Sequence, residues 1–164
     1  MPESFATKID RWKYNFFPAY RGTGARVVYI SSDYRRMRVK IPLSWRTRNY
    51  VGTIYGGSMY AGIDPVYMIM LIKNLGADYV VWDKAAKIRF RRLGRETLYA
   101  DFVLTEEELD EIRRTLETEK SIDRIYTVEL VDKNGTVHAS IEKTLYIAKK
   151  KKARASGADE QGKV

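Results

Sequence analysis

The chain has 164 residues, 45% of them hydrophobic, which is enough for one well-buried core and short for two. It contains no cysteine and a single histidine, so disulfide frameworks, thiolate metal sites, iron-sulfur clusters, thiol nucleophiles and multi-histidine metal centres are excluded. The net charge of +9 is uneven: residues 1–49 carry 11 Lys/Arg against 3 Asp/Glu, residues 50–148 carry 13 against 16, and residues 149–164 carry 6 against 2. Basicity therefore belongs to the first segment and the tail, and the middle is slightly acidic. The longest apolar run, 66–72, falls far short of the roughly 18 residues of a membrane-spanning helix, and the first ten residues lack the apolar stretch of a signal peptide. The chain reads as a soluble cytoplasmic protein, with one domain over 1–148 and a basic, disordered tail over 149–164.

In chain order, Ile9, Trp12 and Phe16 share one face of a short helix that ends at Pro18, a face expected to pack. Residues 26–32 are rich in strand formers. Residues 34–42 alternate, with Met37, Val39 and Ile41 opposite Arg36, Arg38 and Lys40, and Ser31, Ser32 and Asp33 supply the turn of a hairpin with one cationic face. Residues 58–75 read as a helix apolar on nearly every side, which something must wrap. Two half-buried strands follow, one carrying Ala86, Ile88 and Phe90 and the other Leu98, Ala100, Phe102 and Leu104. Thr105 with Glu108 forms a capping box ahead of the amphipathic stripe Leu109, Ile112 and Leu116. Strands over 125–131 and 137–148 flank Asn134-Gly135, a hairpin signal. This order matches an α+β fold in which an antiparallel sheet curls around one central helix, with an N-terminal helix and an extra surface helix.

Chemistry concentrates between Asn49 and Asp64, where an irregular loop leads through a Gly56-Gly57 pair into a helix start and then to a carboxylate inside an apolar stretch. Glycine allows close backbone approach, and the unpaired N–H groups of a helix start can polarise a carbonyl oxygen. A carboxylate in apolar surroundings is desolvated, which suits it to general-base work. Asp64-Pro65 has a second reading: Asp is a favoured N-cap and Pro a favoured first helical residue, so a helix that breaks after Gly62 would make Asp64 structural.

The residues Asn49, Gly52, Tyr55, Gly56 and Gly57, with Asp64 beyond them, resemble the Asn-x-x-Gly-x-x-His-Gly-Gly signature of hotdog-fold acyl-CoA thioesterases of the phenylacetate-pathway type; Tyr55 stands where that pattern has histidine. The stretches 52–76 and 81–86 are closer still to an uncharacterised family of unknown function in the same superfamily. The resemblance spans about residues 9–149. It implies a five- or six-stranded antiparallel sheet around a long helix, assembled edge to edge as a homodimer or homotetramer. It further implies that the Gly57 N–H binds the thioester carbonyl, that Asp64 activates water or attacks directly, and that Asn49 orients the site. Tyr55 and Gly56 would join the substrate-binding wall, and Asp83 falls roughly where some relatives place a Ser or Thr near the reacting centre.

These implications point to hydrolysis of an acyl-CoA or acyl-carrier thioester with no cofactor and no metal. Two readings compete: a non-catalytic module that binds acyl thioesters or lipids, and an adaptor for nucleic acid or an anionic membrane, motivated by the charge distribution. No aromatic and glycine signature of a specific nucleic-acid-binding sheet accompanies the basic ends. The remaining candidates have structural readings. His138 reads as a strand residue without a nucleophile-elbow motif nearby, Trp82 as a filler of the core's end or the acyl tunnel, and Met59, Met68 and Met70 as fillers around the central helix. Arg36, Arg38, Lys87, Arg89 and Arg91 offer cationic strand faces to the phosphates of coenzyme A.

Overall fold

The structure, a computed structural model, describes residues 1–150. Two N-terminal helices, α1 (Phe5–Phe16) and α2 (Pro18–Gly22), precede the hairpin β1 (Arg26–Ile30) and β2 (Arg36–Ile41). Helices α3 (Gly56–Ala61) and α4 (Val66–Leu75) follow, then β3 (Tyr79–Phe90), β4 (Leu98–Val103), α5 (Glu106–Thr118), β5 (Ser121–Val131) and β6 (Val137–Lys149). The six strands form one antiparallel sheet in the order β1-β2-β4-β5-β6-β3. Its concave face wraps α3 and α4: this is the hotdog fold. Among the described residues, no helix is long and apolar enough to cross a membrane.

Strand alternation builds the core. Met37, Val39 and Ile41 of β2, Leu98, Ala100 and Phe102 of β4, and Tyr126, Val128 and Leu130 of β5 all face inward and are buried. They meet Val66, Tyr67, Met70 and Leu71 of α4, and the Tyr67 ring stacks on Tyr126 and meets Phe102 edge-on. Helix α5 closes the core with Leu109, Ile112 and Leu116, as its stripe requires. Thr105 caps α5 by accepting from the Glu108 N–H.

Several expectations are corrected. Pro18 opens α2 as well as following α1. The Ile9, Trp12 and Phe16 face of α1 does not pack: Trp12 remains 60% and Phe16 51% exposed, because the helix lies across the sheet end on its other side, where Asn15 clasps the backbone of Val27. The expected single helix over 58–75 is interrupted at residues 62–65, since Pro65 has no N–H to continue the ladder. Ala86 and Phe90 lie largely exposed on the inner face of β3, an edge strand, although the Phe90 ring reaches Gly56 of α3. Trp82 faces outward, half exposed and stacked on Tyr146, so it fills neither core nor tunnel. Strand β6 extends through Lys149, which pairs with Tyr79, and residues 151–164 of the expected tail lie outside the described residues.

Gly62 sets how closely the helix break approaches the hairpin. A Cβ there would lie 2.6 Å from the Cβ of Ala25 and 2.9 Å from the Ser58 carbonyl oxygen, neither of which can move cheaply. Gly62→Ala is expected to lower unfolding stability by about 1–3 kcal/mol through overpacking, read as a reduced midpoint in urea; an unchanged midpoint would contradict the close approach.

Candidate functional site

Strand β6 carries an inward row of Ala139, Ile141, Lys143, Leu145 and Ile147, four apolar residues with one lysine among them. The Lys143 side chain is 1% exposed. A buried ammonium costs several kcal/mol unless it is paired, and the fold supplies the partners from two other elements. Asp64, in the turn between α3 and α4, bonds Lys143 Nζ through Oδ1, and its main-chain oxygen accepts from the same nitrogen at 3.1 Å. Asp83 of β3 places its buried Oδ1 2.8 Å from Nζ, a second carboxylate on the same ammonium. The Tyr60 ring lies 5.3 Å from Nζ as a third, cation–π neighbour.

Local sequence explains how Asp83 arrives. A bulge in β3 at Lys84 shifts the register against β6, so Asp83 pairs with Leu145 and Ala86 with Lys143. Asp83 and Ala86, three residues apart, therefore share the inner face. Burial works against the Lys143 charge, but the hydrogen bond to Asp64 and the closeness of Asp83 outweigh it and raise the ammonium above the usual lysine value. Burial likewise pushes the Asp83 carboxyl up, with Lys143 opposing. Burial and the neighbouring Asp64 carboxylate also raise the Tyr60 phenol.

The structure places Asp64 differently from both readings of its sequence. The helix does break around it, yet α4 begins with Pro65 as its N-cap and has no side-chain cap. The Asp64 carboxylate points to Lys143 instead. Nor is it desolvated in an apolar wall: its side chain is 38% exposed and ion-paired. It also borders an apolar groove of about 620 Å³ between α1–α2 and α3–α4, whose walls include Tyr14, Phe17, Tyr20, Met68 and Ile69. The Tyr20 hydroxyl donates to the Gly62 carbonyl at 3.0 Å and fixes α2 to the turn that carries Asp64.

The glycine pair lies at the other end of α3. Tyr55 is the N-cap residue, in extended conformation, with no side-chain cap bond. The N–H groups of Gly56 and Gly57 find no acceptor among the described residues, as the first positions of a helix require. Each glycine is covered by an aromatic ring: a Cβ on Gly57 would collide with the Tyr55 ring, and one on Gly56 would lie 2.8 Å from Phe90. Both rings are more than half exposed. Asn49 is occupied within its own loop, accepting from the N–H groups of Val51 and Thr53 and donating to the Thr53 hydroxyl, so it shapes the approach to Tyr55. Gly52 there has φ +80°, which favours glycine.

Residues 8–147 match a family described as a domain of unknown function (DUF4442). The chain belongs to that family. No curated protein matches by sequence. Among solved structures, a Pseudomonas aeruginosa protein of unknown function described as a probable thioesterase is similar with a TM-score of 0.77 at 17% identity, over 92% of this chain and 99% of that one. A Haemophilus influenzae thioesterase is similar with a TM-score of 0.65 at 12% identity, over 90% and 93% of the two chains. A mutant thioesterase from Pseudomonas aeruginosa gives 0.65 at 11% identity, over 86% and 93%. These likenesses show the fold.

Sequence reasoning singled out Asp64 and Asp83 and missed Lys143, which joins them. Its signal was available as a lysine in phase with the buried residues of an alternating strand. His138 is a bridge: its Nδ1 meets the Leu93 carbonyl at 3.1 Å and its Nε2 the Asp132 carboxylate at 3.3 Å. Because the folded value of Lys143 is raised, its contribution to stability is fully present below the unfolded lysine value of 10.5 and is lost as pH rises through the folded value. The difference in unfolding free energy between the native protein and Lys143→Met should therefore shrink as pH is raised through 10.5 and beyond; a difference independent of pH would contradict the assigned pairing.

Proposed function

We propose that this protein hydrolyses acyl thioesters, with acyl-CoA as the leading substrate class and an acyl-carrier thioester as its variant. The observation that carries the reading is the Asp64 carboxylate, partly open to solvent, held from below by a buried ammonium and bordering an apolar groove. Similarity to thioesterases of the same fold supports it.

In this reading the thioester carbonyl oxygen accepts from the N–H groups of Gly56 and Gly57, which favours the charge that develops in the tetrahedral intermediate. Asp64 takes a proton from a water whose oxygen adds to the carbonyl carbon. The intermediate then expels the sulfur, and the proton held by Asp64 passes to the leaving thiolate, giving a free acid and a thiol. Lys143 stays protonated throughout and fixes the orientation of Asp64. Asp83, raised by burial, is the second carboxylate on the same ammonium and helps hold it in place. Asn49 and Tyr55 set the loop and ring at the entrance, and the acyl chain lies in the groove beside Met68 and Ile69.

Gly57 opens α3 and Asp64 lies beyond its far end in the break before α4, so in this reading the glycine N–H groups and the carboxylate that serve one thioester belong to different copies. A second copy brings its own Gly57 to the first copy's Asp64. The long β3, at one end of the sheet order, is the edge through which such a homodimer forms.

With a panel of acyl-CoA thioesters and a thiol-reactive dye, the purified protein should release free thiol, and Asp64→Asn should lower kcat by roughly a hundredfold or more, the size of a general-base contribution. Saturable binding without thiol release would instead favour the non-catalytic binding module, for which the phenol of Tyr55 in the motif's histidine position is the supporting observation.

A further inference from the structure

A second cavity, of about 320 Å³, opens between the end of α1, α2 and the turn after β2. Its walls include three arginines, Arg21, Arg26 and Arg46, and two aromatic rings, Phe16 and Trp45, and no acidic residue lines it. Among the described residues the ion-paired arginines are Arg11, Arg35, Arg38, Arg113 and Arg124, so none of the three in this cavity has a carboxylate partner. By contrast Arg38, on the cationic face of the β1–β2 hairpin, is 3.4 Å from Asp101. Three unmatched guanidiniums around one concavity repel one another, and an anion relieves that repulsion while engaging their planar N–H forks.

The rings narrow the class of anion. Trp45 is 82% exposed and Phe16 51%, so each presents a large apolar face to solvent, although Phe16 also meets the Trp12 ring at 4.5 Å. The Arg46 guanidinium lies 4.9 Å from the Trp45 centroid, and that of Arg21 lies 5.8 Å from the Phe16 centroid. Arg21 and Arg46 thus each lie over a ring, and the exposed indole is available to a second planar group. Stacking surface beside phosphate-binding forks is the chemistry of nucleotide recognition. The volume lies at the small end of ligand pockets and fits one nucleoside phosphate better than a polymer.

We propose that this cavity binds an adenosine phosphate, with the base on Trp45 and the phosphates on Arg21, Arg26 and Arg46. Resting on the thioester reading, the nucleotide is the phosphorylated adenosine end of coenzyme A. Ala25 connects the two sites, lining the cavity and abutting Gly62, two residues before Asp64. The phosphates therefore engage this pocket, and the cationic strand faces of Arg36, Arg38, Lys87, Arg89 and Arg91 are bystanders.

The test titrates adenosine 3′,5′-bisphosphate into the full chain by calorimetry and by quenching of tryptophan emission. Saturable binding that weakens with salt is expected, and adenosine lacking phosphate should bind about tenfold more weakly or worse. Arg21→Ala/Arg46→Ala and Trp45→Ala, at exposed positions, should each weaken the bisphosphate about tenfold or more, whereas Arg36→Ala should not. In turnover, the double arginine variant should raise KM for acyl-CoA and leave kcat and KM for the matching acyl-pantetheine thioester unchanged. No binding of the bisphosphate, unaltered binding in the double variant, a short RNA bound more tightly than the bisphosphate, or equal KM for acyl-CoA and acyl-pantetheine in the native protein would each overturn the proposal. Bisphosphate binding without any thioester cleavage would keep this site and remove the hydrolytic reading.

Discussion

One buried positive charge organises the centre of this molecule. Lys143 occupies a place in β6 where each flanking inward residue is apolar, and a bare ammonium there would cost more than a small domain can spare. Its neutralisation recruits Asp64 from the break between the two central helices and Asp83 from the bulged edge strand. Three elements far apart in sequence are thereby held to one point. Removing the lysine leaves two carboxylates without their shared cation, and removing either carboxylate leaves the ammonium with only one.

The same arrangement separates structure from chemistry. Two carboxylates share one ammonium, and the more exposed of them is the one at the helix break. Pro65 makes that break by removing a hydrogen bond from the helix, and Gly62 lets it sit against Ala25, with the Tyr20 hydroxyl fixing its carbonyl. The unpartnered N–H groups of the helix start are elsewhere, at Gly56 and Gly57, where aromatic rings cover glycines that leave them room. Donors stand at one end of this helical stretch and the carboxylate at the other.

The sequence displayed what is local and hid what is long-range. The alternation of β2, β4 and β6, the stripe of α5 and the Asn49–Asp64 motif depend on neighbours a few residues apart, and each is legible in order. Lys143 lies 79 residues from Asp64, and nothing near either one announces the other. Asp83 could be placed by resemblance, but the bulge at Lys84 that turns it inward with Ala86 is invisible to a period-two reading. The exposed α1 face departs from its expected packing because apolar spacing identifies a face without saying what covers it.

The most direct test of this account is a double-mutant cycle on Lys143→Met and Asp64→Asn, measured by urea unfolding at neutral pH. If the buried ammonium and the carboxylate at the helix break are energetically one unit, the pair should show a coupling above about 1 kcal/mol, with the double variant less damaged than the two single losses imply. Additive losses within a few tenths of a kcal/mol would mean that the two groups are neighbours without interaction, and the account of this site would fail.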